Sequence, residues 1–127
     1  MKPKLKKVTN HEEAMALMNK EGDCVSHDYP TVKLGHNTYL IAIDYGYKVT
    51  YHGNPIIFYY DDETIISNCG WHTNSTTERL NQLTKVFFRI RNGKHEYYDY
   101  LGWKPLNKHG LSVLPCAWAT PPNKQER

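Results

Sequence analysis

The chain has 127 residues, 39% hydrophobic and 23% charged, with a net charge of +3 and a pI near 8.7. That is one domain, long enough to bury roughly two-thirds of its unfolded surface, and less basic than a dedicated nucleic-acid domain, whose pI exceeds about 9. No apolar run approaches the roughly 20 residues of a membrane helix. The lysine-rich start (Lys2, Lys4, Lys6, Lys7) has no apolar core behind it, so neither a membrane span nor a secretory signal is expected.

The first predicted element is a helix. Asn10 is its N-cap, Glu13 completes a capping-box pattern, and Ala14, Leu17 and Met18 form an apolar stripe that Gly22 terminates. Strands follow at 31–34 and 38–43, the second rich in β-branched and aromatic residues. Asp44-Tyr45-Gly46 turns the chain into 47–52, where Tyr47, Val49 and Tyr51 alternate with Lys48, Thr50 and His52. Gly53-Asn54-Pro55 turns it into 56–60, and Asp61-Asp62 into a short strand at 64–67. Closely spaced runs joined by tight turns predict an antiparallel meander.

A second, short helix begins at Ser75 or Thr76. Ser75-x-x-Glu78 fits a capping box, Leu80 and Leu83 supply the buried face, and Arg79 is expected on the exposed side. The helix is expected to stop near Thr84, because 86–91 is β-prone and Asn92-Gly93 is a strong hairpin signal, with 95–100 as the return strand. Residues 1–114 are therefore expected to form a single α+β domain with a basic N-terminal arm. Its antiparallel sheet has about five to seven strands, packed by an N-terminal helix and a second short helix. The tail at 115–127, which carries Pro121-Pro122, is expected to be extended or disordered.

Functional residue types gather where strands end and turns begin, the places a scaffold uses to present chemistry. His36-Asn37-Thr38, Tyr51-His52-Gly53, Gly70-Trp71-x-Thr73 and Thr76-Thr77-x-Arg79-Leu80-Asn81 stand at such places, with Trp71 read as a core anchor. Across roughly 34–98 this pattern resembles a small domain of unknown function encoded mainly by bacteriophages and prophage-bearing bacteria. The resemblance implies a phage setting, the cytoplasm of an infected bacterial host, and no particular reaction. Cys69 stands where that family usually has a second glycine, and His72 where it often has arginine.

Three classes of chemistry are compatible with these residues. Binding is the first: Arg89, Arg91 and Lys94 lie on one predicted ribbon beside Tyr97, Tyr98 and Tyr100, so cations stand near aromatics suited to base stacking. With them, His36, Thr38, His52, Thr73, Thr76, Arg79 and Asn81 form the expected binding site. Catalysis is the second: His36, His52 and His72 can act as acid and base on a phosphodiester or nucleotide if their strand ends converge. Metal binding is the third: Cys24-x-x-His27 and Cys69-x-x-His72 make a valid Cys2His2 zinc set. Structural zinc sites usually open with Cys-x-x-Cys, however, and three cysteines in a cytosolic chain are expected to be reduced and unlinked, so no cofactor is expected. The expected function is that of a non-catalytic phage-type accessory protein. Its partner is nucleic acid, or a host protein of nucleic-acid handling or defence.

Overall fold

Strands that alternate apolar and polar residues must bury one face each. The computed structural model, which describes residues 2–23, 29–99 and 101–113, shows how that is done. In chain order the elements are α1 (His11–Glu21), β1 (Thr31–Gly35), β2 (Thr38–Ile43), β3 (Gly46–Tyr51), β4 (Asn54–Tyr60), β5 (Thr64–Ile66), α2 (Asn74–Leu83), β6 (Phe88–Arg91), β7 (Lys94–Tyr98), β8 (Trp103–Pro105) and β9 (Leu111–Val113). A six-stranded antiparallel sheet runs β1-β2-β3-β4-β5-β9, and a separate three-stranded sheet runs β6-β7-β8.

One row of side chains crosses the whole larger sheet. Val32, Leu40, Val49, Ile57, Ile66 and Leu111 are successive cross-strand partners. The first five are buried and Leu111 packs against the same cluster. Helix α1 lies across β1 to β4 and adds Ala14 and Met18, while α2 adds Leu80 and Leu83 and packs on β6. Between β3 and β4 the register slips: Val49 pairs with Ile57 but Thr50 pairs with Pro55. Ile56 is the extra residue of a bulge, so two consecutive isoleucines are both buried where strict alternation would expose one.

Tyr59 ties the layers together. Its ring is fully buried, and its hydroxyl lies 2.6 Å from the Leu83 carbonyl and 3.2 Å from the Val8 carbonyl, joining the end of α2 to the N-terminal segment. Burial, reinforced by Glu13, pushes the phenol well above its ordinary pKa, so it stays a donor. The basic arm is laid along β1: the Lys6 amide bonds to the Leu34 carbonyl (2.9 Å), Gln82 donates to the Pro3 carbonyl (3.1 Å), and the Lys6 ammonium pairs with Glu21.

The α+β class, the N-terminal helix and the meander agree with the sequence, and Asn10 caps α1 as expected, accepting from the Glu13 amide (2.8 Å). Three details differ. The hairpin after α2 belongs to a second sheet instead of extending the first. The strands β8 and β9, three residues each, were not anticipated, being too short to show a period. Helix α2 is capped by Thr73, not by Ser75 or Thr76: Thr73 is extended (φ −121°) and its hydroxyl accepts from the Thr76 amide. The tail at 115–127, with Cys116, lies outside the described residues, as do Cys24, His27 and Tyr100.

Replacing Tyr59 by Phe keeps the shape and removes the hydroxyl. Urea denaturation is expected to show a loss of about 1–2 kcal/mol, and an unchanged midpoint would mean that this tie contributes no net stability.

Candidate functional site

Three turns have both central residues at positive φ: His52-Gly53 (52° and 80°), Cys69-Gly70 (52° and 83°) and Asn92-Gly93 (53° and 77°). This is the geometry whose twist matches flanking strands. Cys69 thus takes a conformation that glycine adopts without strain, at a position where the resembling domain usually has glycine. The β1–β2 turn, the β3–β4 turn and the turn that follows β5 gather at one end of the larger sheet. The His52 amide donates to the Asn37 carbonyl (3.0 Å), Cys69 Sγ donates to the Pro55 carbonyl (2.9 Å), and the Trp71 amide closes its turn on the Asn68 carbonyl (2.8 Å).

Between these turns and the start of α2 lies a cleft of about 450 Å³. The β3–β4 hairpin contributes Tyr51, His52, Asn54 and Ile56, and the bulge is what turns Ile56 towards it. The next turn contributes Asn68 and Trp71, and α2 contributes Thr73, Ser75 and Thr76. None of the lining residues is an aspartate, glutamate, lysine or arginine. Trp71 is 58% exposed, which corrects its expected role as a core anchor: it stands at the rim. The Thr73 and Thr76 hydroxyls bond each other (2.9 Å) and Thr77 donates to the Thr73 carbonyl (2.9 Å), so the partly positive end of α2 borders the cleft in a fixed pose.

Arg79 forms the foundation. Only 4% of it is exposed, against the expectation of an exposed face. The reason is visible in the spacing: Thr76, Arg79, Leu80 and Leu83 stand at i, i+3, i+4 and i+7, a complete inward stripe with two polar members. Arg79 Nε donates to Thr38 Oγ1 (2.8 Å), and its two terminal nitrogens donate to the carbonyls of Ser75 (3.0 Å) and His36 (3.1 Å). The guanidinium also sits 3.9 Å over the Tyr51 ring. Burial lowers its pKa and Tyr51 opposes that shift, but an arginine this well bonded remains charged. Thr38 and Arg79 therefore meet, as partners under the cleft.

Behind Trp71 is a buried polar chain. Asn68 Nδ2 lies 2.8 Å from His95 Nδ1 and 3.2 Å from His72 Nδ1, and the His95 amide donates to that same His72 nitrogen (2.8 Å). An amide NH₂ only donates, so both Nδ1 atoms are acceptors without a proton. His95 Nε2 then donates to Thr77 Oγ1 (2.6 Å). His95 is 1% exposed, and burial together with nearby His72 pushes its pKa down to about 4. Sequence reasoning missed Asn68, His95 and Thr77. Only the Asn-Cys-Gly turn, in which the residue before a glycine turn is well placed to bond its own loop, pointed there.

The other expected site residues divide in two. His36 and His52 are exposed at the shared sheet end, and the His52 ring lies tilted against Tyr51 with ring centres 4.3 Å apart. His72 faces Asn68 and lies with its ring 5.2 Å from that of His95. Asn81 is a strap, accepting from the Phe88 amide (2.7 Å) and donating to the Phe88 carbonyl (3.1 Å). Arg89 is paired with Glu96 (2.9 Å) and lies 4.1 Å over the Trp103 ring. Arg91 and Lys94 are exposed at the β6–β7 tip, one residue before His95. Among the described residues no group of three or more histidine, cysteine or acidic side chains is placed to hold a metal ion. Cys69 is a free, exposed thiol.

Arg79→Ala is expected to lower the unfolding free energy by about 3 kcal/mol, because three charge-assisted bonds vanish and two carbonyls are left dry. Arg79→Lys should recover only part of that. Unchanged denaturation midpoints would refute the foundation role. His95 has a folded pKa below its unfolded value near 6.5. The unfolded chain therefore takes up the proton first, and stability falls as pH drops from about 6.5 towards 4. The slope from this group reaches at most about 1.4 kcal/mol per pH unit. Denaturant melts across that range should show the slope in the native protein and not in His95→Gln; equal slopes would remove His95 as its source.

No helix of the described residues is long and apolar enough to cross a membrane. No curated protein matches the chain, and no solved structure does. A family does match: the Kyanoviridae Gp96 protein family, over residues 8–101, which takes in α1, the larger sheet up to β5, α2 and the β6–β7 hairpin. With about three-quarters of its length inside that match, the chain belongs to the Kyanoviridae Gp96 protein family, a family of phage proteins.

Proposed function

We propose that this phage protein is a non-catalytic accessory protein that binds nucleic acid through the pole where the turns gather. The observation that carries the proposal is the cleft itself: aromatic rings and free amide and hydroxyl groups, no carboxylate on its walls, and the positive end of α2 beside it. The β6–β7 tip adds Arg91 and, paired with it, Lys94, which directly precedes His95, whose side chain bonds the cleft residue Asn68. The acidic turn Asp61-Asp62 lies at the other end of β4, away from this pole. A strand of nucleic acid approaching the turns therefore meets cations at the β6–β7 tip and aromatic faces in a cleft whose walls carry no carboxylate.

The enzymatic alternative draws less support. His36 and His52 are exposed without a carboxylate to orient either ring, and His72 is occupied as an acceptor. A host protein as partner uses the same pole, and it is separated from nucleic acid by experiment.

Fluorescence anisotropy with labelled single-stranded DNA, single-stranded RNA and duplex should show single strands bound more tightly. The double variant Arg91→Ala/Lys94→Ala should weaken binding and flatten the dependence of log K on log salt by about 1.4, or roughly 0.7 per lost phosphate contact. Absence of binding at low salt, or indifference to the double variant, would refute the proposal. A specific host protein retained by the tagged chain after nuclease treatment would replace nucleic acid with that protein.

A further inference from the structure

We infer that the cleft admits a single unpaired nucleobase, stacked on Trp71 and met along its edge by Asn54; this rests on the nucleic-acid reading above and assigns it a site. The polar groups of the cleft fall into two sets. Asn68, Thr73 and Thr76 are engaged within the protein, the Asn68 side chain through three bonds that include one from the Gly70 amide to its Oδ1 (2.9 Å). The side-chain polar groups of Tyr51, Asn54, Trp71 and Ser75 have no hydrogen-bond partner among the described residues. The walls are thus fixed, and a coherent set of donors and acceptors is left for something else.

The character of that ligand follows from the set. Trp71 presents an exposed indole on a turn whose backbone is fixed by its own amide and by the buried Asn68–His72–His95 chain, so the side chain is anchored at its base before anything binds. A flat apolar face selects a flat ring. The edge groups are neutral and both donate and accept, as the edge of a nucleobase requires, and no charged side chain lines the cleft to select a carboxylate or an amine. The volume falls within the range of about 300–1,000 Å³ typical of small-ligand sites. A sugar ring also stacks on tryptophan, but paired hydroxyls are best held by carboxylates, and none is present. A base inside a duplex has both faces covered by its neighbours, so the platform selects unpaired ones.

The test uses the full chain and three probes: nucleoside monophosphates, a ten-residue single strand, and N-acetylglucosamine, read by tryptophan fluorescence and anisotropy. Nucleotides are expected to quench the native protein and not Trp71→Ala. The same variant should bind the strand at least tenfold more weakly, Trp71→Phe should restore most of that loss, and Asn54→Ala should change the ranking of the four bases. Trp71 is at the surface, so an unchanged thermal midpoint will show that the variant is folded. Strand binding that survives Trp71→Ala intact overturns the base site while leaving the nucleic-acid reading in place. Nucleotide quenching without strand binding supports the base site and rejects the strand. Quenching by the sugar alone, or no response to any probe, overturns the base site.

Discussion

A cation buried without a counter-ion organises this protein. Arg79 has no carboxylate among its bonding partners; a hydroxyl, two backbone carbonyls and the face of Tyr51 share its charge. A buried carboxylate would have cancelled the field, whereas neutral acceptors satisfy the geometry and leave much of the positive potential in place. The same bonds fix the β1–β2 turn to α2 and hold the Tyr51 ring in position. The shape of the cleft therefore rests on Arg79.

Around that foundation, several polar groups of the cleft wall are already bonded within the protein. His95 is held neutral by its burial, and Asn68 has only donors to offer it at Nδ2. Thr73 and Thr76 use their hydroxyls on the helix end and on each other. Such fully satisfied networks specify one arrangement of a loop that would otherwise sample several. The residues left free are consequently presented at fixed positions, which is the condition for recognition at low entropic cost.

Much of this was legible in the sequence, and the exceptions share a cause. Asn92-Gly93 announced its hairpin, Asn10 its helix, and the alternation in 47–51 its strand, because each signal is local. Arg79 was misplaced because an inward stripe was traced from Leu80 and Leu83 alone. With Thr76 and Arg79 included the stripe is complete, but only tertiary partners reveal that a polar residue can belong to it. Trp71 was read as core because large aromatics usually are, and nothing in the neighbouring residues reports that the turn before it faces outward. Strands β8 and β9 exist through partners elsewhere in the chain, so three residues of pattern had nothing to declare.

The placement of β9 makes one edge of the larger sheet depend on a distant part of the chain. Strands β1 to β5 pair with their immediate neighbours in sequence, so each closes a short loop soon after synthesis. The outer edge of β5 waits for Leu111 to reach Ile66, after α2 and the whole smaller sheet have been made. Until then the sheet has an open border with unpaired amides and carbonyls, the kind of template that recruits stray strands. Pairing with β9 covers that edge, and β9, only three residues long, becomes the border of the sheet, a short one that offers little to a stray strand.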